Sequence, residues 1–357
     1  GLKASGADDL MVMEICEGAN VAAVFTRNAF CAAPVVVARR HLAASAPRYL
    51  LVNAGNANAG TGDDGMSAAN RCCQALADAT GADAGEVLPF STGVIGEPLP
   101  VSRIVETLPA VLSSLSSDAW ASAARSIMTT DTRPKAASLR VALSGGEVTI
   151  TGLAKGAGMI KPNMATMLGF VATDAGVASD ALQALLAAAV ERSFNRITID
   201  GDTSTNDACT LVATGRSGVE VLPGTADWEL LADAVHALFV SLAQSIIRDG
   251  EGATKFVTVS VAGGGHSGEC LAAAYTVAES PLVKTALFAS DANWGRILAA
   301  VGRAGIDDID VSAVRISLNG VLVAERGARA DGYEEAQGAA AMANDDIRID
   351  IDLARGN

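Results

Sequence analysis

The chain has 357 residues, half of them hydrophobic but only 4% aromatic, which suits two domains, or one large one, with an aliphatic core. A formal net charge of −14 disfavours nucleic acid and anionic membranes as partners, because both bind surfaces rich in Lys and Arg. No stretch approaches the roughly 20 consecutive apolar residues of a membrane span. No signal segment opens the chain, although it begins at Gly1 without a Met, which allows a processed start.

Segments with helical and strand-like periodicity alternate along the chain, and this alternation predicts a mixed α/β architecture. Apolar residues at helical spacing predict helices over 64–80 with Gly81 at its end, 118–129, 179–193 with Ser179 as N-cap, and 226–248. Turn and alternation signals predict a hairpin over 139–151 around Ser144-Gly145-Gly146, a hairpin at Asn319-Gly320, and a half-buried strand over 346–353. The glycine run 263–265 is the clearest break in composition, so we expect a large unit over about 1–264 and a smaller α/β unit over 265–357.

The cysteines and histidines do not predict a metal site. None of the six cysteines forms C-x-x-C, and the three histidines lie far apart in the sequence. Cys72 and Cys73 fit a helix, and all six are expected to be reduced, mostly buried thiols of a cytosolic protein. A Cys–His nucleophile pair stays open, although no local signature supports it. The acidic run from Asp200 to Asp207 lacks the glycine and glutamate of a calcium loop and is interpreted as a hydrogen-bonded turn network.

Residues 155–168 are the most informative segment of the chain. A glycine-rich loop carrying Lys155 and Lys161 leads to Thr166, and an apolar stretch of strand length follows. A hydroxyl where a loop enters a buried strand is held on one side and accessible on the other, as a nucleophile requires. Cleavage of the Ala165–Thr166 bond would also give Thr166 an α-amine with an unperturbed pKa near ~8, able to act as base for its own hydroxyl. From residue types alone, a structural threonine at a strand start is the more common interpretation.

A dinucleotide site in the same loop is not supported. Gly156 and Gly158 match part of the G-x-G-x-x-G fingerprint, but the third glycine and an acidic ribose-binding residue are missing. No cofactor is predicted.

Several motifs in fixed order extend over nearly the full chain. They are Val24–Asn28, Ala33–Val35, Val52–Ala59, Ser91–Gly96, the segment around Thr166, Asp200–Asp207, Asp249–Lys255 and Asn293–Arg296. Together they resemble the self-cleaving ornithine acetyltransferase (glutamate N-acetyltransferase) family.

This resemblance implies a reaction. The chain would cleave itself at Ala165–Thr166 into fragments 1–165 and 166–357. It would then carry acetyl from N2-acetyl-L-ornithine to L-glutamate by a ping-pong route through acetyl-Thr166. Whether acetyl-CoA also serves as donor stays open. The implied fold is an αββα sandwich of the N-terminal-nucleophile type with a smaller C-terminal α/β domain. The two fragments would stay associated, as a heterotetramer or a larger assembly in the cytoplasm.

The resemblance also assigns site residues. Thr92 and Gly93 become the oxyanion-hole candidates, and the substrate-binding positions fall on Thr132, Lys155, Thr166 and Glu251. Taken without the family, the same residues fit ordinary turn and loop positions: Thr92 and Gly93 a turn after a strand, and Lys155 a solvated lysine.

Two departures from the family pattern limit this transfer. Family chains continue past the strand at 346–353 into a segment that completes the substrate pocket, whereas this sequence ends at Asn357. Ala292 also stands where the family usually has proline. Two alternatives stay open: an amidohydrolase or aminopeptidase using the same threonine nucleophile, and a non-catalytic binding protein with an inert site.

Overall fold

The computed structural model describes residues 8–161 and 167–356. The chain divides into two compact units, Gly1–Glu251 and Gly252–Asn357. The boundary lies earlier than the glycine run 263–265 that the composition suggested. The reason is that the strand Phe256–Ala262 pairs in parallel with Asp346–Asp352 in the sheet of the second unit.

The first unit is mixed α/β, as predicted. Its elements are β1 (Leu10–Glu14), β2 (Asn20–Phe25), α1 (Ala33–Ala44), β3 (Tyr49–Asn56), α2 (Gly62–Thr80), β4 (Val87–Val94), α3 (Val101–Ser113), α4 (Trp120–Ser126), β5 (Lys135–Leu143), β6 (Gly146–Lys155), β7 (Leu168–Thr173), α5 (Ser179–Glu191), β8 (Ala208–Ala213) and α6 (Ala226–Ile247). The predicted hairpin is therefore β5–β6, and the helix expected over 118–129 is the shorter α4.

Two sheets form the centre of this unit. One has the order β1-β3-β4 and the other the order β2-β8-β7-β6-β5. Phe90 of β4 and Phe170 of β7 pack edge to face with ring centroids 5.1 Å apart, so the sheets share a hydrophobic core. Because side chains alternate along a strand, the neighbouring residues face away from this core. Leu51 packs with α2 and α3, and Val171 packs with α5 and α6.

The helix ends follow the sequence signals in part. Gly81 ends α2 in the left-handed conformation at φ 76°. Thr225 caps α6 by accepting a hydrogen bond from the backbone N–H of Trp228. The prediction of Ser179 as N-cap of α5 is wrong, since Ala178 holds that position without a side-chain cap.

Helix α6 departs from the expectation that no stretch is long and apolar enough to span a membrane. It has 22 residues and a mean hydropathy of 1.7 in its most apolar window, enough by length and composition to cross a membrane. Its apolar face, which includes Leu231, Leu238, Phe239 and Leu242, packs into the core beside the five-stranded sheet. Core packing therefore accounts for its composition.

The second unit is also α/β. Its elements are β9 (Phe256–Ala262), α7 (Ser267–Ala278), α8 (Pro281–Phe288), α9 (Trp294–Gly302), β10 (Arg315–Leu318), β11 (Val321–Glu325), β12 (Ala328–Arg329), α10 (Glu335–Met342) and β13 (Asp346–Asp352). The sheet order is β12-β11-β10-β13-β9. Asn319-Gly320 joins β10 and β11 as predicted, and β13 alternates buried Ile347, Ile349 and Ile351 with charged residues.

Candidate active site

The ends of β3 and β4 form one side of the candidate site. These strands are parallel, so their carboxyl ends lie together, with Ala54 opposite Thr92 and Gly55 opposite Gly93. Gly93 has φ 135°, and a Cβ there would overlap the carbonyl carbon of Gly55. Only glycine fits this close backbone approach. The backbone of Gly93 is exposed, while the neighbouring Thr92 is buried.

Lys155, from the five-stranded sheet, contacts the end of β4. It ends β6, lies opposite Leu168 at the start of β7, and is buried at 8% exposure. Its Nζ donates a hydrogen bond of 3.1 Å to Oγ1 of Thr92. The interpretation of Lys155 as a solvated loop lysine is therefore wrong. Burial lowers the pKa of Lys155, and the carboxylates of Asp131 and Asp207 act in the opposite direction.

A buried ion cluster lies behind Lys155. Lys135 Nζ is 2.6 Å from Oδ1 of Asp131 and 2.6 Å from Oδ2 of Asp249. Asp131 Oδ1 also accepts from the backbone N–H of Gly156 at 2.7 Å. Burial opposes ionisation of both carboxylates, but the neighbouring lysines and hydrogen bonds lower the pKa of Asp131 and of Asp249.

Lys135, Asp131 and Asp249 were not among the site residues predicted from the sequence. Asp131 directly precedes Thr132, and Asp249 opens the motif that contains Glu251, but Lys135 carries no local signal. Its only sequence cue is the i,i+4 spacing from Asp131.

Thr132 and Glu251 are held close to this cluster. Thr132 donates its backbone N–H to Asp249 Oδ2 at 3.0 Å and its hydroxyl to Asp249 Oδ1. The backbone N–H of Glu251 donates to Ala157 O at 2.8 Å. The Glu251 carboxylate lies against Gly158, where a Cβ would be 2.5 Å from Oε1. Both residues are exposed, so their polar groups are accessible to a ligand.

The loop that follows Lys155 is anchored by the acidic run, which is the hydrogen-bonded turn network that the sequence predicted. Asp200 Oδ2 and Oδ1 accept the backbone N–H groups of Met159 at 2.5 Å and Ile160 at 2.9 Å. Thr203 donates its hydroxyl to Lys161 O at 2.9 Å. Asp207 is buried, and burial raises its pKa well above the ordinary carboxyl value.

Thr166 and Ala165 lie outside the described residues. On the far side, Met167 O accepts from the N–H of Ala208 at 3.0 Å, and Leu168 pairs with both Lys155 and Ala208. The structure thus brings Thr92, Gly93, Thr132, Lys155 and Glu251 into one neighbourhood, around the strand that starts just after Thr166 in the sequence.

Within residues 8–161 and 167–356, no group of three or more His, Cys, Asp or Glu side chains could hold a metal ion. The six cysteines are free. Burial raises the pKa of Cys72 and Cys73 to about 12, which keeps these thiols protonated at neutral pH and disfavours them as nucleophiles.

The α/β fold and the charged site at converging strand ends are typical of an enzyme. Comparison with known proteins identifies the family. The model of the ArgJ family matches residues 1–357. The arginine biosynthesis bifunctional protein ArgJ of Pseudomonas fluorescens is 57% identical, over 100% of this chain and 88% of its own length. That of Psychrobacter arcticus is 54% identical over the same shares.

Solved structures also match. The arginine biosynthesis bifunctional protein ArgJ from Bacillus halodurans has 35% identity and a TM-score of 0.49, covering 52% of this chain and 86% of that one. Ornithine acetyltransferase from Mycobacterium tuberculosis, solved with ornithine, has 35% identity and a TM-score of 0.40, covering 46% and 87%.

The chain belongs to the ArgJ family. Family membership confirms the predicted resemblance and the prediction of an acyltransferase enzyme of arginine biosynthesis. It disfavours the alternative of a non-catalytic binding protein.

Proposed function

We propose that the chain transfers an acetyl group from N2-acetyl-L-ornithine to L-glutamate through an acetyl-Thr166 intermediate, after cleaving itself at Ala165–Thr166. The observation that carries the proposal is the 3.1 Å hydrogen bond between Lys155 and Thr92. It joins two predicted site residues from different sheets beside the start of β7, two residues beyond Thr166 in the sequence. The curated relatives at 57% identity support the same reaction class.

The chemistry begins with self-cleavage. The Thr166 hydroxyl attacks the Ala165 carbonyl, the peptide bond becomes an ester, and water hydrolyses this ester to leave Thr166 with a free α-amine. That amine then accepts the hydroxyl proton when Thr166 attacks the acetyl amide of the donor. Ornithine leaves with a proton on its amine, and the amino group of glutamate attacks the acetyl ester to regenerate the hydroxyl.

Each attack produces a tetrahedral oxyanion. Thr92 and the backbone N–H of Gly93 are the proposed donors, and the removal of one such donor typically costs about 3–4 kcal/mol of transition-state stabilisation. The ammonium group of Lys155 supplies positive charge beside Thr92. Thr132, Lys155 and Glu251 bind the substrate, with the Glu251 carboxylate available to a substrate ammonium group and Lys155 to a carboxylate.

The arrangement of layers in the first unit and the association of the two fragments belong to the same proposal. The core shared by the two sheets, with helices packed on the outer face of each, supports an αββα sandwich for the first unit. Fragments 1–165 and 166–357 would remain associated in a heterotetramer or larger assembly, because β6 of the first fragment pairs with β7 of the second. The free cysteines suit a cytoplasmic enzyme.

Intact-mass analysis of the purified protein with and without N-acetylornithine tests the proposal. We expect two fragments that meet at Ala165/Thr166, and an added acetyl group on the second fragment that glutamate removes as N-acetylglutamate. Thr166→Ala should give one uncut chain without acetyl-enzyme, whereas Thr166→Ser, which keeps a hydroxyl, should cleave partially. An uncut wild-type chain that transfers acetyl normally would refute the mechanism.

Acceptor use separates transfer from hydrolysis. An amidohydrolase or aminopeptidase would release acetate whether or not glutamate is present. Because the relatives are named bifunctional, acetyl-CoA is the second donor to assay, and N-acetylglutamate formed from it alone would show the second activity.

A further inference from the structure

We propose that Lys135 is a positioning residue of the acetyl-transfer site, holding Asp131 and Asp249 so that one carboxylate fixes the Lys155 side of the site and the other fixes the Thr132 side. This inference rests on the proposed function. It assigns a role to a residue whose ammonium group bonds to protein groups, two of them carboxylates.

The Asp249 arm reaches two substrate positions. Asp249 accepts from Lys135 Nζ at 2.6 Å and from the N–H of Thr132 at 3.0 Å, and also takes the Thr132 hydroxyl. Glu251 follows two residues later in the chain, with its N–H bonded to Ala157 O at 2.8 Å. Movement of Asp249 would therefore displace Thr132 directly and Glu251 through the backbone.

The Asp131 arm reaches the oxyanion side. Asp131 Oδ1 accepts from Lys135 Nζ at 2.6 Å and from the N–H of Gly156 at 2.7 Å. Gly156 directly follows Lys155, whose ammonium group contacts Thr92. Movement of Asp131 would therefore displace the cation beside the proposed oxyanion hole.

Lys135 itself has no donor left for a ligand. Its Nζ contacts Asp131, Asp249 and Arg133 O, the last at 3.4 Å, and an ammonium group has three N–H donors. Its side chain is 1% exposed, and those of Asp131 and Asp249 are 0% and 3% exposed. Its hydrogen bonds therefore influence the reaction through its two carboxylate partners.

A buried ion cluster is weak evidence for added stability, because well-packed apolar residues often stabilise as much. This cluster joins Lys135 to a carboxylate 114 residues away. The carboxylates fix the orientation of the Thr132 hydroxyl, the Thr132 N–H and the Gly156 N–H. An apolar cluster would not hold these groups.

The test compares steady-state kinetics of three variants, each first shown to be folded and self-cleaved. Asp249→Asn should raise the KM for substrate about tenfold, the effect of losing a hydrogen bond to a charged group, with kcat within about threefold of wild type. Asp131→Asn should lower kcat about a hundredfold, because it displaces a charge at the reacting centre. It should raise KM by less than Asp249→Asn does, because Lys155 is only one of the three proposed substrate contacts. Lys135→Met should show both effects.

Arg140→Met is the matched control. Arg140 lies on the same strand, β5, and forms an exposed ion pair of 3.5 Å with Glu147, so its loss should leave both constants unchanged. A folded Lys135→Met enzyme with wild-type KM and kcat would overturn the proposal. So would equal effects of Asp131→Asn and Asp249→Asn on both constants.

If Lys135→Met does not fold, the two single Asn variants decide the question. Wild-type protein that makes no N-acetylglutamate would refute the proposed function, and the role of Lys135 with it. An active wild type without the KM-against-kcat split refutes the role of Lys135 alone.

Discussion

At the scale of single residues, the environment of Lys155 determines how the site can work. Its ammonium group is buried yet donates to a neutral hydroxyl, that of Thr92. A buried charge requires compensation, and here the carboxylate of Asp131, whose pKa is lowered, provides it without occupying the contact to Thr92. The positive charge is therefore directed at the place where the proposed oxyanion develops.

Removal of the Thr92 hydroxyl should weaken catalysis more than binding. We expect Thr92→Val to reduce kcat about 10²–10³-fold, the usual cost of one oxyanion donor, with little change in KM. Thr92→Ser keeps the hydroxyl and serves as the control in the same glutamate-dependent assay. A Thr92→Val enzyme with wild-type kcat would remove Thr92 from the oxyanion hole.

The pH dependence of kcat/KM should report two groups. The proposed α-amine of Thr166 must be neutral to act as base, so activity rises as pH increases through a pKa near ~8. Lys155 must stay protonated, and burial lowers its pKa below the ordinary lysine value, so activity falls again at a pH below the usual lysine range.

The variant Lys155→Arg tests whether deprotonation of Lys155 causes the loss of kcat/KM at high pH, the alkaline limb of the profile. Guanidinium stays charged throughout the accessible range, so the limb should disappear or move to higher pH in a variant that still cleaves itself. An alkaline limb at the same pH in wild type and variant would assign it to another group.

At the scale of the elements, glycine positions separate two kinds of constraint. Gly81 ends α2 at φ 76°, and a Cβ at this position would meet no other atom within 4 Å, so only backbone strain opposes a side chain. Gly93 adds a clash with the backbone of Gly55 on the neighbouring strand. The first position affects one helix end, and the second affects the pairing of β3 with β4 beside the site.

Gly81→Ala and Gly93→Ala form a matched pair for urea unfolding. We expect Gly81→Ala to lower the free energy of unfolding by about 1 kcal/mol, the cost of a left-handed alanine, and to leave activity unchanged. Gly93→Ala should cost about 3 kcal/mol or more and abolish transfer, since strands must separate to admit the methyl group. Equal losses for the two variants would contradict the clash.

Local sequence signals predicted the elements better than their assembly. Gly145-Gly146 and Asn319-Gly320 placed both hairpins, and Gly81 placed the end of α2, because these residues set local backbone conformation. The strand order β2-β8-β7-β6-β5 could not be predicted from local signals, because it depends on contacts between segments that are distant in the sequence. Motif resemblance supplied the candidate site residues, whereas Lys135 could not be found, since its burial depends on Asp249 in another part of the chain.

At the scale of the molecule, the first unit contains a buried cluster of three charged side chains. The cluster connects three segments: Asp131 lies in the loop after α4, Lys135 starts β5, and Asp249 follows α6. The pKa values of Asp131 and Asp249 are lowered in the folded chain. These carboxylates therefore stabilise the fold fully above their unfolded pKa near ~4 and lose this contribution as pH falls through the folded pKa values.

Replacement of Lys135 should reverse this pH dependence. In Lys135→Met, Asp131 and Asp249 are left buried without their shared cation, so their pKa values should rise above the unfolded value. The folded variant then binds more protons than the unfolded chain between those values, and its stability decreases as pH rises through that window. At neutral pH the loss should be about 3–5 kcal/mol, the usual cost of breaking a buried ion pair. Urea unfolding of wild type, Lys135→Met and the Arg140→Met control at pH 7 and pH 5 measures it. The Lys135→Met deficit should shrink at the lower pH, and a deficit that is constant or grows would show that the two carboxylates do not depend on Lys135.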